Sequence, residues 1–116
     1  MDEWDVRFHP DFVPEFRDLD DEVKVAVGEV FDELRDKGPF LGRPEVDTLN
    51  GSRHRNMKEI RVDAANGVWR FAFAFDAEQR AIVLCGGDKS GLISDRFYKR
   101  LIERADARFD EWLKGD

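Results

Sequence analysis

Among its 116 residues the chain has one cysteine, Cys85, two histidines, His9 and His54, and one tyrosine, Tyr98. A single cysteine forms no internal disulfide, and Cys85 sits in an apolar run where the residue acts as a small hydrophobe rather than as a nucleophile. The two histidines have no neighbouring ligand partner, so metal-ligand spacing is absent and no metal is expected. No apolar run approaches the ~20 residues of a membrane span. The N-terminus, Met-Asp-Glu-Trp-Asp, lacks the basic start and apolar stretch of a signal peptide. The expectation is a cytoplasmic protein with no membrane partner, folded as one domain over residues 1–116.

What is present is aromatic and charged. Hydrophobic residues make up 41% and aromatics 12%, enough for a core, while 39% are charged. The formal net charge of −7 argues against nucleic-acid binding until its distribution is considered. Residues 1–50 carry 6 basic and 15 acidic side chains, whereas residues 51–100 carry 10 and 6. The basic excess therefore lies in the middle of the chain, where an anionic ligand finds a local site.

That middle holds three strand-like runs, MKEIRV, GVWRFAFAF and AIVLC, joined by two short polar connections, the first containing Asn66-Gly67. They form an antiparallel meander. In the second run Trp69, Phe71, Phe73 and Phe75 alternate with Val68, Arg70, Ala72 and Ala74, so the aromatics share one face of the strand. At roughly 25 cal/mol per Å² and 150 to 250 Å² per ring, burying four aromatics contributes on the order of 10 kcal/mol, so that face must be covered. On the other face small alanines leave room for Arg70. Glu59 and Arg61 alternate with Ile60 and Val62 and fall on Arg70's side. Lys89 lies in the flexible Gly86–Gly91 exit of the third run. Two arginines, a glutamate and a lysine thus converge on one sheet face; a solvated face whose charges pair with one another is the alternative.

Around the meander, Trp4, Val6 and Phe8 alternate as a short first strand. Phe12 to Leu19 reads as a short helix whose start Pro14 confines. From Asp20 to Lys37 the spacing of Val23, Val27, Val30 and Leu34 predicts a helix with an acidic outer face, ended by Gly38-Pro39. Gly28 in mid-helix suggests close packing against a neighbour. Residues 39–56 read as a connection with a basic tip, Arg53-His54-Arg55, leading towards Lys58. From an N-capping Ser94 to Leu113 the stripe Phe97, Leu101, Ala105, Phe109 and Trp112 predicts a last helix that covers the aromatic face. The fold class is α+β: a meander sheet with helices packed on one face and an open basic face.

The order and spacing of Phe8-His9-Pro10, Phe16, Leu34 with Gly38, the Pro44 to Leu49 segment, Lys58-Glu59-Ile60-Arg61, Trp69-Arg70-Phe71 and Asp88-Lys89-Ser90-Gly91 before Phe97-Tyr98 resemble the RelE/ParE superfamily of toxin–antitoxin toxins, in its HigB-like, phage-derived branch. The resemblance spans nearly the whole chain. It implies a small RelE-like fold and a ribosome-dependent endoribonuclease that cuts messenger RNA without a metal or other cofactor, the 2′-hydroxyl attacking the neighbouring phosphate. In that reading Arg61 and Arg70 stabilise the phosphate, Lys89 assists or orients, and Glu59 serves as base, while Arg53, His54, Arg55 and Lys58 bind RNA. Neither a histidine nor a tyrosine is expected at the reacting centre, Tyr98 being placed in the helical segment. The implied partners are a cognate antitoxin, a helix-turn-helix protein, and messenger RNA on the ribosome. A ParE-like, non-enzymatic topoisomerase inhibitor and an inactive antitoxin-binding domain are the alternatives.

Overall fold

The computed structural model describes residues 3–115. Three long strands form its centre: β3 (Met57–Ala64), β4 (Gly67–Phe75) and β5 (Arg80–Asp88), each antiparallel to the next. The meander is therefore as expected, with β5 running on through Gly86 and Gly87. The strands β3 and β4 join through a two-residue turn in which Ala65 and Asn66 have φ of 50° and 60°. Positive φ at both central positions matches the twist of the flanking strands. Two further strands widen the sheet. At the end of the chain's first apolar segment, β1 (Asp5–Phe8) pairs in parallel with β5, and β2 (Val46–Thr48), inside the stretch expected to be a connection, pairs with β3. The sheet is mixed, in the order β1-β5-β4-β3-β2.

The aromatic face of β4 packs under α1 (Phe12–Arg17) and α2 (Asp21–Lys37). Phe71, Phe73 and Phe75 join Phe12, Val23, Val27, Val30, Phe31 and Leu34 in one buried cluster. An added Cβ at Gly28 meets nothing within 4 Å, so that glycine is not explained by close packing.

The last helix, α3 (Ser94–Lys114), departs from expectation. Its stripe of Phe97, Leu101, Ala105 and Phe109 is buried against Met57, Ala72, Ala74, Ile82, Leu84 and Cys85, on the opposite face from the aromatics. The helices thus take both faces of the sheet. The physical reason lies in β4: α1 and α2 already cover the four rings, and alanines on the other face let a helix approach closely. The helix begins at Ser94 itself, with Ile93 in the capping position and no side-chain cap. The open face expected to carry the basic residues is consequently reduced to the end of the sheet that α3 leaves free, near the start of β4 and the exit of β5.

Candidate active site at the uncovered end of the sheet

Register fixes the cluster. Arg61 pairs with Arg70 across β3 and β4, Glu59 pairs with Ala72, and Arg70 pairs with Gly87 of β5. Alternation then places Glu59, Arg61 and Arg70 on one face, as the spacing predicts. Both Glu59 and Arg70 are almost fully buried, at 6% and 5% exposure. They do not form a close ion pair: Arg70 Nε lies 3.9 Å from Glu59 Oε1.

Tyr98 stands between them. Its hydroxyl donates to Glu59 Oε1 at 2.8 Å and accepts from Arg70 Nε at 3.3 Å, while Arg70 also donates to the Trp69 carbonyl at 2.9 Å. Burial holds the Tyr98 phenol above its usual range, and its hydrogen bond to the carboxylate pushes the same way. The phenol therefore stays protonated at neutral pH. One lone pair of its oxygen is used by Arg70, and the second remains for a further donor. Sequence reasoning placed Tyr98 away from the centre because it placed α3 on the wrong face. Once α3 lies on the alanine face, the residue following buried Phe97 reaches the end of the sheet where Arg70 emerges.

Arg61 is exposed and lies 3.7 Å from Asp47, which also holds Arg43 at 3.1 Å. The Thr48 backbone N–H and the Arg43 side chain keep the Asp47 carboxyl below its usual range. Arg43, Pro44, Arg61, Asp63 and Arg70 line a cavity of about 360 Å³. Three guanidinium groups and the Asp63 carboxylate share this one small opening, and guanidinium forks are the donor geometry that suits an anion.

Lys89 approaches from β5. Its backbone N–H donates to the Val68 carbonyl at 2.8 Å, and Asp88 accepts from the Val68 and Ser90 amides at 2.9 Å each. This places the Lys89 ammonium 5.5 Å from the centre of the Tyr98 ring and 3.5 Å from the Ser94 hydroxyl. Glu59, Arg70 and Lys89 thus gather around Tyr98, while Arg61 meets Arg70 at the cavity.

The expected RNA-binding residues stand elsewhere. Arg53 and His54 both bond Asp110 of α3, His54 at 2.8 Å, and the His54 ring meets Phe109 edge-on. They fasten the loop before β3 to the helix, and His54 together with Arg53 holds the Asp110 carboxyl below its usual range. Arg55 is exposed. Lys58 alternates with Glu59 and so lies on the other face of β3.

One set of potential metal ligands occurs among the described residues, His9, Asp11 and Glu111. The His9 ring accepts the Asp11 amide at Nδ1, 3.1 Å away, so its proton sits on Nε2, which donates to Glu111 at 2.9 Å. Neither ring nitrogen has a lone pair left for a metal.

A family model described as phage-derived protein Gp49-like (DUF891) matches residues 14–110. Two Mycobacterium tuberculosis proteins bearing the names toxin HigB3 and toxin HigB2 are each 42% identical to the chain, over 84% and 82% of it. The matched region is 83% of the first protein and 47% of the second, so the chain spans about half the length of the latter. Among solved structures, the free state of a double-arginine mutant of the Escherichia coli toxin RelE superposes with a TM-score of 0.62 at 16% identity, covering 88% of this chain and 97% of that one. That likeness shows a shared fold.

Proposed function

The chain belongs to the phage-derived Gp49-like family and is a RelE-like toxin of the HigB branch; from that premise we propose that it is a ribosome-dependent endoribonuclease acting on messenger RNA. The observation that carries this reading is the hydrogen-bonded string Arg70–Tyr98–Glu59, whose Arg70 end lines a cavity shared with Arg61 and Arg43. As a toxin of a toxin–antitoxin module it has a cognate antitoxin, for which a helix-turn-helix protein is our proposal.

The chemistry runs as a transesterification. The scissile phosphate enters the arginine-lined cavity, where Arg61 and the cavity-lining side of Arg70 meet the charge that builds on its non-bridging oxygens. The neighbouring 2′-oxygen attacks phosphorus, forming a P–O2′ bond as the P–O5′ bond breaks. The 2′-hydroxyl proton passes to the free lone pair of the Tyr98 oxygen while the Tyr98 proton moves to Glu59, so the phenol ends as it began. Lys89 supplies a proton to the departing 5′-oxygen. Glu59 therefore acts through Tyr98 rather than by touching substrate, which its burial requires. A group held by fixed donors needs little rearrangement at the moment of reaction.

The products follow from that scheme: a 2′,3′-cyclic phosphate upstream and a 5′-hydroxyl downstream. A message carrying a single 2′-deoxy sugar at the cleaved position stays whole at that site while cleavage elsewhere continues. Cleavage at the deoxy position with a 5′-phosphate product would overturn the scheme.

A further inference from the structure

Along α3, arginine recurs at every fourth position from Arg96 through Arg100 to Arg104. At 1.5 Å per residue these stack on one side of the helix about 6 Å apart. All three are exposed, and none is ion-paired among the described residues, whereas Arg108, next in the row, is held by Glu15 at 2.6 Å. The row borders a groove of about 440 Å³ floored by Gly87, Phe97 and Leu101. Its lip is Leu92 and Ile93, 58% and 63% exposed. No acidic side chain lines it. In a chain of net charge −7, three unneutralised arginines beside two exposed aliphatic residues form a patch of the opposite sign with an apolar centre.

The pairing of charge and grease decides the occupant. A phosphate backbone satisfies the arginines but leaves Leu92, Ile93 and the groove floor uncovered. A peptide with carboxylates four residues apart and aliphatic side chains between them satisfies both. We propose that this groove is the docking site for an acidic amphipathic segment of the protein that neutralises this toxin. The proposal rests on the toxin assignment and not on the nuclease scheme. Gly87 belongs both to the groove floor and, through its pairing with Arg70, to the edge of the candidate active site. A segment seated there lies against the loop that carries Lys89.

The test titrates the full, isotope-labelled chain with a synthetic peptide of about 18 residues bearing glutamates at every fourth position and leucines between them, followed by NMR. The expected result is a set of shifts confined to residues 86–104, absent with a peptide carrying lysine for glutamate. The double variant Arg100→Glu with Arg104→Glu weakens binding at least about tenfold, with an unchanged circular-dichroism melt and unchanged RNA cleavage. No shifts in the groove, shifts centred on Arg61 and Arg70 instead, or tighter occupation of the same groove by a single-stranded RNA of about 12 nucleotides would each overturn it. Failure of the nuclease scheme shows separately, as loss of cleavage by the wild-type chain.

Discussion

Tyr98 joins the two buried charges of the candidate site, Glu59 and Arg70. Its hydroxyl lies 2.8 Å from a carboxylate that is almost fully buried, so Tyr98→Phe leaves Glu59 with Arg70 at 3.9 Å as its nearest charged partner. Removing one partner of a buried acceptor costs about 1–3 kcal/mol, measurable by urea unfolding. In the proposed scheme the same change slows cleavage about 10²–10⁴-fold, the range of a lost proton-transfer group. A purely structural tyrosine gives the stability loss with near-normal cleavage. Arg70→Ala is harsher, because an uncompensated buried glutamate costs about 3–5 kcal/mol. Cys85 gives the opposite case. Burial pushes its thiol up to about 12, so in the native protein it should fail to react with Ellman's reagent at pH 8 and react promptly once unfolded; prompt reaction of the folded chain contradicts that burial. The inertness of Cys85 was legible in its apolar neighbours. The place of Tyr98 was not, since nothing in the run Phe97-Tyr98 says which face of the sheet the helix lies on.

At the scale of elements, the strands were legible because alternation is a local property, and the mistakes arose where two solutions satisfied the same local pattern. The stripe on α3 fits either face of the sheet. What decides is the competition for the aromatic face, which α1 and α2 win, and that is a long-range fact. Similarly β2, three residues long, carries too short a pattern to distinguish it from a loop. The turn between β3 and β4 offers a direct check. Ala65 sits at φ 50°, a conformation that costs a residue with a Cβ roughly 1 kcal/mol and glycine nothing. Ala65→Gly should therefore leave stability unchanged or raise it by up to about 1 kcal/mol, despite glycine's greater freedom in the unfolded chain; a clear loss would show that this turn is not strained. Between elements, Arg108 of α3 holds Glu15 of α1 and also donates to the Leu84 carbonyl at 2.7 Å. The Arg108 hydrogen bond keeps the Glu15 carboxyl below its ordinary value of 4.5. A lowered folded value means stability that is present above that ordinary value and lost as pH falls through the folded one. The wild type should thus exceed Glu15→Gln in stability at pH 7, and the gap should close as pH drops below 4.5; a gap independent of pH would rule out the charge contribution.

Across the whole molecule, acidity and basicity are separated. The acidic excess is concentrated in the N-terminal half, including the outer face of α2, and the cations gather at the end of the sheet and along α3. The separation was legible from the sequence, as was the placement of Glu59, Arg61 and Arg70 on one face. The closure of most of that face by α3 was not, and it has a consequence: the end of a covered sheet holds Glu59 and Arg70 buried and fixed, which an open face does not. The central claim is that this end of the sheet cuts messenger RNA on the ribosome. It is tested most directly by mapping new 5′ ends in a reconstituted translation reaction containing the wild-type protein, with Tyr98→Phe and Arg70→Lys beside it and parallel reactions lacking ribosomes. New ends that require ribosomes are expected, falling at least about a hundredfold in Tyr98→Phe and not restored by a lysine that lacks the guanidinium fork. Intact messages at high wild-type concentration, or cleavage indifferent to both substitutions, would contradict that claim.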